Sequence, residues 1–329
     1  MAKKYLIVKI AAIGDVIMAL PMVEEIRKLD KNAEITWVCG QGVKSILEPF
    51  AIDRLITIDE KKLLTGSKWK KFSEVMKLWR QIAGKKYDVI AMGHAARRYK
   101  LLTLLTRSHE SRSFSHAMGK IWPIPGRHHT DEYVRLINPA IKKPIKSARF
   151  PKVELSRELQ EILKGARPKV ALAPGGAKNL LADDRLRRWP IEYYVKLAKE
   201  LISKGYDVVL TGAKSDEWVN EYFSNIDTKN FIGKTNLVEL IGVFQNVSAV
   251  VAHDSGPMHL AGLTETKLIA IFGPTNPKEK VPRRDEVVTV WHDKELACCP
   301  CYDGKYYAKC DHNYCLLSDI TNDIVNNIL

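Results

Sequence analysis

Residues 5–29, YLIVKIAAIGDVIMALPMVEEIRKL, decide the fold. Tyr5 to Ile10 is a short, apolar, β-branched run, the composition of a strand buried on both faces. A turn at Ala12-Ile13-Gly14-Asp15 follows. From Val16 to Leu29 the apolar residues Ile17, Leu20, Val23, Ile26 and Leu29 recur at helical spacing. The alternation continues outward, with strands over 34–39, 54–58 and 87–91 and helices over 43–47 and 68–83. Strand alternating with helix is the pattern of a parallel α/β sheet. Between Asn138 and Glu158 the periodicity fails, and Pro139, Pro144 and Pro151 gather with several lysines, which reads as a linker. The pattern then restarts with strands over 169–173, 207–210, 249–252 and 267–272 and helices over 191–204, 237–244 and 316–329. The expected architecture is α/β, with two doubly wound, Rossmann-like domains at 1–150 and 151–315 and a final helix at 316–329. Ligands of such sheets bind at the carboxyl ends of the strands, here in the cleft expected between the domains.

A chain of 329 residues is long enough for two cores. Its 46% hydrophobic and 27% charged residues exclude disordered and low-complexity classes. No apolar run reaches the ~18–20 residues of a membrane-spanning helix. The basic start is cut short by Gly14 and Asp15 with no small-residue cleavage site after it, so a cytoplasmic location is expected. A net charge of +14 favours phosphorylated substrates, an anionic membrane surface or nucleic acid; a solvated basic surface is the plain alternative. Nucleic acid ranks last, because neither a helix-turn-helix signature nor an aromatic RNA-binding strand is present.

The strongest chemical signal is VVAHDSGPMHLAGL, residues 250–263. Asp254, Ser255 and Gly256 sit where a strand ends and a helix begins, a place where backbone N–H groups suit a diphosphate. His259 falls one turn along, on the same side. A simple helix cap with His259 in the core fits the residues equally well. A second anion-facing segment, ALAPGGAKNLLADDRLRRWP at 171–190, leaves a strand through Gly175 and Gly176. Its Lys178, Arg185, Arg187 and Arg188 bring positive charge to one loop, where a solvated basic loop is the other reading. In IFGPTNP, 271–277, Gly273 and Thr275 form a third turn able to meet phosphate.

Together these segments resemble glycosyltransferase family 9, the bacterial heptosyltransferases, over nearly the whole chain. The resemblance rests on IVKIAAIGDVIMALPMVEEIRK, the APGG…RRWP loop, IGKTNLVELIGVF, HDSGPMHLAG, IFGPTNP and the cysteine tail. It implies a GT-B fold and inverting transfer of a sugar, typically heptose from ADP-heptose, to lipopolysaccharide core or a related phosphorylated glycolipid or glycan. It also implies Asp15, after Gly14, as the general base that takes the acceptor's proton; a helix-capping Asp15 is the alternative. Gly175, Gly176, Lys178, Arg187, Asp254, Ser255, Gly256, His259, Gly273 and Thr275 would bind the donor, with Asp216 near its ribose. Arg187 stands where the family commonly has lysine, and Ala11 and Ala12 stand where many members have serine. The rival readings are another nucleotide-sugar enzyme on this fold, such as a transferase for a different sugar or an epimerase, and a basic binding module.

No cofactor is expected for catalysis, since no D-x-D signature is present and GT-B enzymes generally work without a catalytic metal. Cys298, Cys301, Cys310 and Cys315, with Cys299 and His312 nearby, read as C-x2-C-x8-C-x4-C, soft ligands for a structural Zn or Fe ion or else reduced thiols. Related cysteine knobs occur across the family, and one branch holds iron there. The helix over 68–83 carries Trp69, Phe72, Met76 and Trp79 on one stripe beside Lys68, Lys70, Lys71, Lys77 and Arg80. It fits either packing on the sheet or peripheral attachment to an anionic inner-membrane surface. Arg97, Arg98, Lys100, Arg107 and Arg112 are candidate contacts for acceptor phosphates.

Overall fold

In the computed structural model, which describes residues 2–114, 126–178, 183–291, 296–302, 307, 309–310 and 313–329, the apolar runs become parallel strands. β1 (Lys4–Val8), β2 (Glu34–Gly40), β3 (Arg54–Ile58), β4 (Lys86–Met92) and β5 (Arg107–Ser113) form one sheet in the order β3-β2-β1-β4-β5. β6 (Lys169–Ala173), β7 (Asp207–Leu210), β8 (Thr228–Asn230), β9 (Ala249–His253), β10 (Lys267–Phe272) and β11 (Val287–Trp291) form a second, ordered β11-β10-β9-β6-β7-β8. Every pairing in both sheets is parallel. The central strands are covered on both faces, which is why they read as continuous apolar runs rather than alternating ones. The chain divides into two compact units, one up to residue 148 and one of residues 149–178 and 183–329.

In the first unit, the helix expected over 16–29 is two helices, α1 (Ile13–Ala19) and α2 (Pro21–Leu29). Pro21 has no N–H to donate back into α1 but suits the first turn of a new helix, so the break falls there. α3 (Lys44–Leu47) and α4 (Glu60–Thr65) are short, and α5 covers Lys68–Ile82. α5 packs with Leu78 and Ile82, buried against Ile56, Ile58 and Tyr87. The aromatic stripe is divided: Trp69 is 81% and Phe72 54% exposed, whereas Met76 and Trp79 are half-buried and Trp79 Nε1 donates to the Leu101 carbonyl at 3.0 Å. α6 (His129–Arg135) packs on α1 and brings Tyr133 into the interior.

The second unit contains α7 (Arg157–Leu163), α8 (Ile191–Ser203), α9 (Val219–Tyr222), α10 (Leu237–Gln245), α11 (Gly256–Ala261), α12 (Pro277–Lys280) and α13 (Thr321–Ile328). α13 is shorter than the run expected over 316–329. Its Ile324, Val325 and Ile328 join the core of Leu197, Leu201 and Ile269, so the chain end is part of this unit's packing.

Candidate functional site

β9 delivers Asp254 to the carboxyl end of the second sheet, and the fold buries it. Thr275, two residues beyond Gly273 and fully buried, donates its hydroxyl to Asp254 Oδ2 at 2.7 Å. Three basic groups converge on the same carboxylate: Lys280 Nζ at 3.6 Å, Arg187 Nη1 at 3.7 Å and His259 Nε2 at 3.9 Å. Burial pushes the Asp254 carboxyl up, but Lys280, Arg187 and His259, with the Thr275 hydrogen bond, outweigh it and hold the group well below the usual carboxylate range. Burial likewise opposes the Arg187 charge, and Asp254 reverses that effect and raises the guanidinium above its ordinary value. Asp254 is therefore an ionised organiser of cations. The cluster thus presents cations around a carboxylate that is already occupied by them.

Local structure narrows the sequence-based expectation about backbone amides. α11 spans only Gly256–Ala261 and has Pro257 in its first turn, so its dipole is short and one N–H is missing. Ser255 donates its hydroxyl to the His253 carbonyl at 3.0 Å. The positive character comes from side chains instead. His253 hydrogen-bonds Tyr194 at 3.1 Å, and burial with the nearby Arg188 charge lowers its pKa to about 3, so it is neutral.

Of the four basic residues in the 171–190 loop, only Arg187 faces Asp254. Arg188 donates to the Gly176 carbonyl at 2.9 Å and to Asp183 at 2.6 Å, Arg185 pairs with Asp183, and Lys178 is exposed on a β-bridge with Asp183. Gly175 and Gly176 are required by their surroundings. A Cβ on Gly175 would lie 2.4 Å from Asp216 Cγ, and Gly176 has φ +86°. Asp216 accepts the amides of Gly176 at 3.1 Å and Ala213 at 2.8 Å. It is buried, and it ties the loop after β6 to the loop after β7.

In the first unit, Asp15 lies in the first turn of α1, just after Gly14. Lys9 Nζ sits 2.9 Å from Asp15 Oδ2. Tyr133 lies behind the pair, its ring 5.3 Å from Lys9 Nζ; burial and then the Asp15 charge raise its hydroxyl well above 10. His94 accepts the Ile10 amide at 2.9 Å, and burial and then Lys9 keep it neutral. Among the proposed acceptor contacts, Arg98, Lys100 and Arg107 are exposed. Arg112 is already bound to Glu110 and to the Leu136 and Ile137 carbonyls. The Arg97 side chain lies outside the described residues.

Residues 75–310 fit the model for glycosyltransferase family 9 (heptosyltransferase). The chain belongs to glycosyltransferase family 9. It is 27% identical to the lipopolysaccharide core heptosyltransferase OpsX of Haemophilus influenzae, over 88% of this chain and 85% of that protein. It is 37% identical to lipooligosaccharide heptosyltransferase 2 of the same organism, over 40% of this chain and 39% of that protein. In fold it is similar to the family 9 glycosyltransferase of Veillonella parvula, with a TM-score of 0.76 and 21% identity over 99% of this chain and 95% of that one. The protein is a glycosyltransferase of GT-B fold, as expected.

The sequence offers Cys298, Cys301, Cys310 and Cys315 as metal ligands. Cys298 is exposed, whereas Cys299, Cys301, Cys310 and Cys315 are half-buried. A hydrogen bond with Cys299, then burial and the nearby Cys301 and Cys310, drive the Cys315 thiol far up. Among the described residues no group of three or more His, Cys, Asp or Glu is arranged to hold a metal ion, and His312 lies outside them. Sequence reasoning missed Lys9 and Lys280. Lysine is rarely buried without a partner, so only spatial proximity to Asp15 and Asp254 identifies them.

Proposed function

We propose that this family 9 enzyme transfers heptose, with inversion, from ADP-heptose to a lipopolysaccharide core or related phosphorylated glycan. The observation that carries the reading is the convergence of Arg187, Lys280 and His259 on buried Asp254. The acceptor hydroxyl attacks the anomeric carbon while Asp15 takes its proton. The bond from that carbon to the diphosphate oxygen breaks, and its electron pair leaves with ADP. Arg187, Lys280 and His259 offset the charge that grows on the departing diphosphate. The names of the relatives support both heptose and the core acceptor. Catalysis draws on these side chains and on no cofactor.

No helix among the described residues is long and apolar enough to cross a membrane. Trp69 and Phe72, packed edge-to-face at 6.4 Å beside Lys68, Lys70 and Lys71, form an exposed aromatic and basic surface. It suits peripheral attachment to an anionic bilayer at the cytoplasmic face, where a lipid-linked acceptor would lie. The deciding experiment incubates the purified chain with ADP-heptose and with a panel of other nucleotide sugars, with and without core acceptor, and measures released nucleoside diphosphate. Acceptor-dependent release from ADP-heptose supports the reading. Turnover of a different donor alone assigns another sugar, and interconversion of a donor without transfer assigns an epimerase.

A further inference from the structure

The cysteine tail enters the cation cluster. Cys299 Sγ donates to the Gly273 carbonyl at 2.9 Å, and the amides of Cys301 and Tyr302 both donate to the Pro274 carbonyl, at 3.0 and 3.1 Å. The tail is thus fastened to the turn that supplies Thr275 to Asp254. Tyr302 and Tyr307 form an antiparallel bridge, with ring centroids 4.7 Å apart. The Tyr302 ring lies 4.9 Å from Lys280 Nζ and 5.2 Å from the Arg187 guanidinium. The Tyr307 ring lies 5.8 Å from that guanidinium, and its hydroxyl accepts Arg187 Nε–H at 2.6 Å.

We infer that Tyr302 and Tyr307 are positioning residues of the anion site, holding Arg187 and Lys280 in the pose that receives a diphosphate. The inference rests on the donor reading above. Arg187 faces Asp254 and Asp184 at 3.7 Å each, longer than hydrogen bonds. Its short hydrogen bond to Tyr307 therefore sets its orientation. A tyrosine ring attracts a cation without adding negative charge. With two carboxylates already beside Arg187, a third in place of a tyrosine would leave the cluster hostile to phosphate. Tyr302 and Tyr307 thus line the cation cluster.

Calorimetry on the full chain tests this with two probes, ADP and inorganic pyrophosphate. Tyr307→Phe keeps the ring and loses the acceptor oxygen; it should weaken both probes by roughly 10-fold, the usual scale for a hydrogen bond to a charged group. Tyr302→Phe should bind like the parent, and Tyr302→Leu should bind several-fold more weakly. The loss in Tyr307→Phe, which keeps the ring and its packing and removes only the acceptor of Arg187 Nε–H, is not expected of a general packing role. Equal binding by all three variants overturns the inference. If Tyr302→Leu unfolds, the two phenylalanine variants still decide. Parent protein that binds pyrophosphate and not ADP overturns the nucleotide reading while the variants still test the clamp. Binding of neither probe overturns both.

Discussion

Lys9 and Asp15 form a 2.9 Å ion pair in which the lysine side chain is 3% and the aspartate 37% exposed. The cation is sealed behind the carboxylate, which keeps one side open to solvent. A general base needs that arrangement, because it must stay ionised and still reach a substrate proton. Asp15→Asn should leave ADP affinity unchanged and cut turnover by ~10²–10⁴. Near-parental turnover would remove Asp15 from the chemistry.

The same pair makes a stability prediction. Asn keeps an acceptor oxygen for Lys9, whereas Asp15→Ala strands a buried ammonium. Asp15→Ala should therefore cost about 1–2 kcal/mol more than Asp15→Asn in urea unfolding, a modest value because Asp15 is partly solvated. Equal losses would mean that Lys9 finds another partner.

The anion site separates neighbouring basic residues into two classes. Arg187→Ala and Lys280→Ala should each weaken ADP binding about 10-fold or more, while Lys178→Ala and Arg185→Ala leave it nearly unchanged. Four comparable losses would point to a diffuse basic loop in place of a built site.

Acid should destabilise the second unit in two stages. His253 is held neutral with a pKa of about 3, against 6.5 when unfolded. The unfolded chain therefore binds a proton that the folded chain refuses, and stability falls as pH drops from about 6.5 toward 3, by up to ~3 kcal/mol at pH 4. Asp254 adds a second loss below its ordinary value of 3.8, since its folded pKa is depressed. Urea titrations from pH 7 to 4 should show a clearly smaller pH slope for His253→Asn than for the parent.

The exposed end of α5 should attach the chain to anionic vesicles and not to neutral ones. Each lysine near the surface contributes ~1 kcal/mol, so salt should release the protein. Replacing Lys70 and Lys71 with Glu, or Trp69 and Phe72 with Ala, should abolish co-sedimentation. Absence of sedimentation by the parent at low salt would end the membrane role.

The amino-acid sequence determined the central strands β1, β2, β4, β6, β9 and β10, because strands buried on both faces must be apolar throughout. It also placed Gly14-Asp15 and Asp254 at strand-to-helix turns, where turn chemistry marks them, and His259 one turn along the helix that follows. The edge strands β5, RSHESRS, and β8, TKN, carried no such signal, because one is polar throughout and the other too short for a pattern, so each is defined by its neighbour's hydrogen bonds. Tertiary structure alone decided which cations count. Arg187, Asp254, Thr275, Lys280, Tyr302 and Tyr307 come from separate segments, and a run of basic residues does not reveal which one will face a buried carboxylate. Folding chose Arg187 over Arg188 and Lys178 and recruited Lys280, because a desolvated Asp254 is tolerable only where positive charge meets it.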